Sequence, residues 1–188
     1  MNQPTPPTSI PFPRRAAAFL RPNIGQPSRS PLLVRLALGW VFLSSGLLKF
    51  LYENQGPLRF AKIGLAPARE LAYFVGAVEM IGGVLLVLGL LVRVAALPLI
   101  VDMLVALVTT KIPLLFGAGP EPVAAAPRTG FWAFAYQSRL DVTMLIGCVF
   151  LLIAGAGLWS LDALLARRRW EGRLLGDARL SHERAPAT

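Results

Sequence analysis

Four long apolar runs constrain the fold of this 188-residue chain more than any other feature. They lie at about 32–51, 71–91, 94–116 and 140–161. Each run has about 20 residues, which as an α-helix spans about 30 Å, the thickness of the hydrocarbon core of a bilayer. Leu, Val, Ala and Gly dominate the runs, and helices satisfy their own backbone hydrogen bonds in lipid. The sequence therefore predicts an all-α membrane protein, an antiparallel bundle of four transmembrane helices.

The composition supports this class and excludes others. Hydrophobic residues make up 55% of the chain and charged residues 15%, well below the roughly 25% of soluble domains. The net charge of +9 comes from basic residues before the first apolar run and after the last, so we expect no nucleic-acid partner. A single cysteine, Cys148, and a single histidine, His182, provide neither an intramolecular disulfide nor a His-pair metal or haem site.

The two ends of the chain differ from the predicted four-helix domain, residues 31–162. Residues 1–30 contain seven prolines and four arginines and are predicted to form a disordered tail. Residues 163–188 form a basic tail, in which Ala163–Leu175 is expected to be an amphipathic helix on anionic lipid. With four spans, both tails lie on the same side of the membrane. That side carries eleven basic residues against five, so both termini are predicted to be cytoplasmic.

Two connecting segments carry more than linker residues. Gly56–Glu70 alternates apolar and basic side chains and predicts a short helix in the headgroup layer. Gly130–Tyr136, ahead of the fourth run, is rich in aromatic residues, which favour the membrane interface. Both segments either anchor the protein at the interface or form a lid over an outward-facing cavity.

Six ionisable residues lie within or at the start of the apolar runs, where an unpaired charge is costly. They are Arg35, Lys49, Glu79, Asp102, Lys111 and Asp141. Counted from the cytoplasmic helix ends at about 1.5 Å per residue, Arg35 and Asp102 lie in the inner half of the bilayer. Glu79 lies about 20 Å deep and Lys49 about 25 Å deep, in the outer half. Matching depths predict two interhelical ion pairs, Arg35–Asp102 and Lys49–Glu79.

The spacing of these charged residues along the helices predicts which helix face each of them lies on. Arg35, Gly39, Gly46 and Lys49 share one stripe of the first helix, and its glycines allow a neighbouring helix to approach closely. Lys111 lies nine residues after Asp102, about 180° round the helix at about 100° per residue, so we expect it to snorkel outward.

The candidate polar site within the membrane consists of five residues. They are Arg35, Lys49, Glu79, Asp102 and Lys111. Two interpretations of these charges stay open. They are either staples between helices, without chemistry of their own, or the lining of a polar cavity for protons or a small ligand.

Short segments in this order and spacing resemble the DoxX family over about residues 32–163. They are Arg35-Leu-Ala-Leu-Gly39, Gly46-Leu-Leu-Lys49, Glu79-Met-Ile-Gly-Gly83, Leu88-Gly-Leu-Leu-Val-Arg93, Asp102-Met-Leu-Val-Ala106 and Gly157-Leu-Trp-Ser-Leu-Asp162. The resemblance implies a four-helix, multi-pass protein of the bacterial plasma membrane. The family takes its name from a subunit of a thiosulfate–quinone oxidoreductase, and it provides no agreed catalytic residues to carry over.

Three function classes stay open, and the resemblance supports the first of them. The first is a membrane subunit of an oxidoreductase complex that links a redox partner protein to quinone. The second is a non-catalytic anchor or scaffold, and the third is a small carrier of protons or a solute. No cofactor ligands are evident in the chain, so quinone is the one cofactor expected. The expected partners are the lipid bilayer, a redox protein and a second copy of the chain.

Overall fold

The computed structural model describes residues 31–118 and 129–167, and in these residues it contains helices and no strand. The helices are α1 (Pro31–Leu51), α2 (Pro57–Lys62), α3 (Ala68–Leu88), α4 (Val92–Ala106), α5 (Ile112–Leu115) and α6 (Phe131–Ala154). A π-helical turn, Leu107–Lys111, joins α4 to α5, so that Val92–Leu115 forms one continuous span. Within the described residues, four helices are long and apolar enough to cross a membrane, which confirms the predicted fold class.

The four spans form two closely packed pairs. One pair is α1 with α3, the other is the Val92–Leu115 span with α6, and α3 joins the pairs by packing against α4. The first and third spans are therefore diagonal to one another. We call the end at the α3–α4 turn the hairpin end, and the opposite end, where α2 lies, the loop end.

Glycines bring the backbones of α1 and α3 into close approach, as the stripe on the first helix predicts. A Cβ atom at Gly39 would lie 3.0 Å from the carbonyl oxygen of Gly83, and one at Gly46 would lie 2.7 Å from the carbonyl oxygen of Gly76. Such distances leave no room for a side chain, so both crossing points need glycine.

The apolar core fills the hairpin-end half of the bundle. Phe42, Leu86, Leu99 and Leu151 are completely buried there, together with the free thiol of Cys148. The core cluster extends toward the loop end only as far as Met103 and Met144. Polar residues occupy the space beyond.

The turn between the second and third spans differs from the predicted Val92-Arg93 hairpin. The α3 helix ends at Leu88 because Gly89 adopts the left-handed conformation, with φ of 69°. Leu91 is also left-handed, and the next helix begins at Val92. The turn is therefore Gly89–Leu91, three residues earlier than hydropathy indicated.

The fourth span also lies earlier than predicted, at residues 131–154 rather than 140–161. The aromatic segment after Gly130 is part of the helix instead of a connection before it. At the other end, Gly155 and Gly157 have φ of 78° and 74°, which stops the helix although the chain stays uncharged as far as Leu161. Hydropathy alone could not detect these two backbone positions.

The remaining segment predictions have mixed outcomes. The short helix expected within Gly56–Glu70 is present as α2, and residues 161–167 are helical at the start of the predicted basic helix. The predicted tail at residues 1–30 and the rest of the basic tail, from residue 168, lie outside the described residues.

Candidate functional site

A cavity of about 300 Å³ lies in the loop-end half of the bundle, next to the end of the apolar core. All four spans and the connection that contains α2 contribute to its lining. Its charged residues are Lys49, Arg59, Glu79, Asp102, Lys111 and Asp141. We call this space the polar cavity. It gathers four of the five predicted site residues, all except Arg35.

The predicted ion pair between Lys49 and Glu79 is confirmed. The Nζ atom of Lys49 on α1 donates a hydrogen bond to Oε2 of Glu79 on α3. The Glu79 side chain is only 4% exposed and that of Lys49 is 15% exposed, so the pair is held largely away from solvent. Gly76 and Gly46 allow this contact because they bring the two backbones together one turn away.

Lys111 faces the polar cavity, and the expectation that it snorkels outward is wrong. Its Nζ atom lies 3.5 Å from Oδ2 of Asp141 on α6, and its side chain is 14% exposed. The expectation assumed a regular α-helix from Asp102 onward. The π-helical turn accommodates one additional residue, so Lys111 lies about 80° rather than about 180° round from Asp102.

The sequence around the π-helical turn explains why it forms there. The hydroxyl groups of Thr109 and Thr110 donate to the carbonyl oxygens of Val105 and Ala106, at 2.8 and 2.6 Å, and such bonds loosen a helix. Pro113 then lacks the N–H that would bond back to the preceding turn. Two threonines followed by a proline were thus the signal for a register change.

Asp102 does not pair with Arg35, and this prediction is wrong. The Asp102 carboxyl group instead contacts the carboxyl group of Glu79 on the neighbouring helix. Its Oδ2 atom is buried and has no hydrogen-bond partner among the described residues, although the residue lines the cavity. A buried carboxylate oxygen without a partner is costly, and a bound group that donates a hydrogen bond would relieve that cost.

Arg35 is used at the hairpin end, where it binds backbone carbonyl groups. Its guanidinium group donates to Leu86 and Val87 at the end of α3, at 2.9 and 3.1 Å. It also donates to Ala156 and Trp159 after α6, at 2.6 and 2.9 Å. Depth matching considered only side-chain partners and missed these carbonyls, which have no helical partner because both helices end there.

Two charged residues of the polar cavity were missed by the site prediction. Asp141 was placed at the start of the fourth helix, whereas it lies ten residues inside α6. Arg59 on α2 lines the cavity together with Phe60 and Ile63, so the connection covers it as the lid interpretation of Gly56–Glu70 expects. The aromatic segment Phe131–Tyr136 is not part of the lining, which argues against a lid there.

The charges are layered by depth. Lys49 lies two residues from the loop end of α1, and Lys111 lies four residues from that end of its span. Glu79 and Asp141 lie about 15 Å inside their helices from the loop end, and Asp102 about 20 Å. Basic groups therefore lie nearer the loop end, and the carboxyl groups lie deeper in the bundle, at the inner end of the cavity, which we call its floor. Within the described residues, no group of three His, Cys, Asp or Glu side chains is arranged to hold a metal ion.

Comparison with known proteins gives this architecture a family. The sequence model of the DoxX family matches residues 30–112. The membrane protein Rv3486 of Mycobacterium tuberculosis, itself uncharacterized, is 46% identical over 140 residues, which cover 74% of this chain and 83% of Rv3486.

A more distant relative is CatD of Bacillus subtilis, whose name provisionally calls it an oxidoreductase. It is 27% identical over 144 residues, which cover 76% of this chain and 92% of CatD. No solved structure matches the chain. The family match includes α1, α3 and the π-helical turn, and with them Lys49, Glu79, Asp102 and Lys111. This four-span membrane protein belongs to the DoxX family.

Proposed function

We propose that this protein is a membrane subunit of an oxidoreductase system and that its polar cavity binds the head group of a quinone. The observation that carries the proposal is a largely buried cavity in which two lysine amino groups can donate to ring oxygens, while the unpartnered Oδ2 atom of Asp102 can accept a hydrogen bond from a hydroxyl group of the reduced quinol. The name of the distant relative CatD supports a redox role, and the family resemblance supports quinone as the electron acceptor.

The size and the walls of the cavity suit a small ring compound that arrives through the membrane. Benzene fits a cavity of roughly 150 Å³, so about 300 Å³ has room for a head group of one or two rings. Leu48, Val105 and Leu140 contribute apolar side chains to the lining. Apolar walls with a few convergent polar groups are typical of ligand sites.

The layering of charges suits the chemistry of quinone reduction. A quinone becomes a quinol by taking up two electrons and two protons. In this proposal the electrons come from the partner protein. Lys49 and Lys111 stabilise negative charge that develops on the ring oxygens. Asp102 and Glu79 pass protons to those oxygens from the floor of the cavity.

The test is quinone reduction by membranes of a deletion strain, with a panel of physiological reductants. The strain is complemented with wild type, with Asp102→Asn or with Asp162→Asn as a matched control at the hairpin end. We expect deletion to lower a quinone-linked activity, wild type and the control to restore it, and Asp102→Asn to restore less than a tenth of it. Thermal unfolding of each purified variant in detergent is the control that checks whether it is folded.

Two other outcomes lead to other functions. If Asp102→Asn and Glu79→Gln restore full activity, the protein is a scaffold, because a scaffold needs no cavity chemistry. If purified protein in liposomes moves protons or a solute without any partner, the protein is a carrier. If deletion changes no quinone-linked activity, the redox proposal is wrong.

We also propose that the protein lies in the bacterial plasma membrane with both termini in the cytoplasm. The bias of basic residues, eleven against five, supports this orientation. Single cysteines in a Cys148→Ser background, at Leu58, Ala125 and Leu180, provide the test with an impermeant thiol reagent. In intact cells we expect labelling at Leu58 and Ala125 and none at Leu180, and the reverse pattern contradicts the orientation.

A further inference from the structure

We infer that Lys49 and Lys111 hold opposite ends of one ligand, so that the polar cavity selects a neutral ring with an acceptor oxygen at each end. This inference rests on the proposed function, because it specifies the ligand of the same cavity. It assigns selectivity to two residues, and it makes the π-helical turn the element that sets their geometry.

The two lysines have equivalent environments on opposite sides of the cavity. They lie on diagonal spans, and each is held by a carboxylate of the helix with which its own span packs. For Lys49 this carboxylate is Glu79, and for Lys111 it is Asp141. The lysine side chains are 15% and 14% exposed. Both amino groups are thus fixed at the edge of the cavity and are nearly removed from solvent.

Each ammonium group retains donors for a ligand. An ammonium group has three N–H donors and no acceptor. The described contacts use one donor of Lys49, toward Glu79, while Lys111 lies at 3.5 Å from Asp141, a long distance for a hydrogen bond. Spare donors in a space largely shielded from water favour a ligand with acceptor oxygens.

The balance of charges favours a neutral ligand over an anion. The cations Lys49, Arg59 and Lys111 face the same cavity as the carboxylates of Glu79, Asp102 and Asp141. Each lysine already faces a carboxylate, Glu79 or Asp141, so an anion would have to compete with that carboxylate for the same amino group. A neutral carbonyl oxygen accepts a hydrogen bond from each lysine without adding charge to a buried site. A ring with two opposed carbonyl groups fits this arrangement.

The π-helical turn is what brings Lys111 to its side of the cavity. In a regular α-helix Lys111 would lie about 100° further round and would leave the lining. The π-helical turn therefore determines whether the ligand is held at one end or at both. Removal of one residue from the turn, such as Val108, leaves Lys111 eight residues after Asp102 in a regular helix, which is again about 80° round, so this deletion keeps Lys111 on the cavity lining.

The test is calorimetric binding to the full-length protein in lipid nanodiscs, with no electron donor. The probes are 2,3-dimethyl-1,4-naphthoquinone, which has two opposed carbonyl groups and no free position for thiol addition, and the 1-tetralone with the same methyl groups, which has one. We expect wild type to bind the dione about tenfold more tightly, the factor that one more hydrogen bond to a charged donor provides.

The variants remove each amino group together with the carboxylate that holds it, so that no charge is left buried without a partner. We expect K111M/D141N and K49M/E79Q to bind the dione about tenfold more weakly and to bind the tetralone within about twofold of wild type. Deletion of Val108, which keeps Lys111 at the same angle, and Lys62→Met on α2, outside the cavity lining, should both leave the preference for the dione unchanged.

The outcomes separate this inference from the proposed function. If wild type binds the dione and either double variant keeps its preference for the dione, binding at two ends is wrong and the redox function stands. If the dione is held at both ends but membranes show no quinone-linked activity, the inference stands and the redox function is wrong. If neither probe binds to wild type, both are wrong.

Discussion

The two ends of the bundle bury charge in opposite ways. At the hairpin end, the guanidinium group of Arg35 is 1% exposed and donates four hydrogen bonds to backbone carbonyl groups. At the loop end, five charged side chains within the spans share a cavity of about 300 Å³. There, the Oδ2 atom of Asp102 lacks a partner among the described residues.

This difference separates a structural charge from charges available to a ligand. Arg35 closes the bundle: a Cβ atom at Gly89 would lie 2.3 Å from its Nη2 atom, so the turn is packed directly onto the guanidinium group. Four of the five N–H donors of Arg35 are used by backbone carbonyl groups of the described residues. The polar cavity, in contrast, has lysine donors and a carboxyl oxygen that the described contacts do not use. These groups stabilise the fold less than the bonds of Arg35 do, and they remain available to bind a ligand.

Arg35→Met is expected to have the largest effect on stability. The change removes the donors of four carbonyl groups in one buried site, and we expect a loss of about 4 kcal/mol in the free energy of unfolding. The measurement is unfolding by SDS titration in mild detergent.

The matched control for Arg35 is Arg69→Met. Arg69 is 65% exposed, and its pair with Glu53 spans 3.7 Å, so its removal should cost less than about 1 kcal/mol. Equal losses for the two variants would show that the hairpin end is not the more tightly closed region.

The comparison also shows which parts of the structure the sequence could predict. Hydropathy predicts the four spans, and depth with helical spacing predicts the Lys49–Glu79 pair, because both depend on regular helices. Arg35 was misassigned since its partners are carbonyl groups exposed by two helix ends, and Gly155 sets the second of these ends. Lys111 was misassigned because a fixed angle per residue cannot include a π-helical turn.

Lys49→Met is expected to have the next largest effect. It leaves the Glu79 carboxylate, 4% exposed, without its amino partner, and we expect a loss of about 3 kcal/mol in the free energy of unfolding. In the double variant K49M/E79Q no charge is left behind, so most of this loss should be recovered.

A double-mutant cycle of Lys49→Met, Glu79→Gln and the double variant shows whether the two side chains interact or contribute to stability independently. If the effects of Lys49→Met and Glu79→Gln simply add, the two groups are not coupled, and the contact between α1 and α3 at the loop end is not an ion pair. A coupling of about 2 kcal/mol is expected for a pair this deeply buried.

Gly46→Ala should destabilise the loop end by less than Lys49→Met does. A Cβ atom there would lie 2.7 Å from the carbonyl oxygen of Gly76 and 2.8 Å from Cγ of Met80, so α1 must move away from α3 near the cavity. We expect a loss of about 2 kcal/mol. Leu47→Ala, at a position 46% exposed, is the control and should cost less than about 1 kcal/mol.

Asp162→Ala is expected to have the smallest effect of the series. The Asp162 Oδ1 atom accepts a hydrogen bond from the backbone N–H of Leu91, at 3.1 Å, ahead of the first residue of α4. Its own N–H donates to the carbonyl oxygen of Gly89, at 3.2 Å, and this bond survives the substitution. One hydrogen bond at a partly exposed helix start is worth about 1 kcal/mol. Asp162→Asn keeps an acceptor at that atom and should lose less than half as much in the same SDS titration. If Asp162→Ala instead costs as much as Arg35→Met, the hairpin end depends on its carboxylate rather than on the carbonyl groups around Arg35, and its contrast with the polar cavity fails.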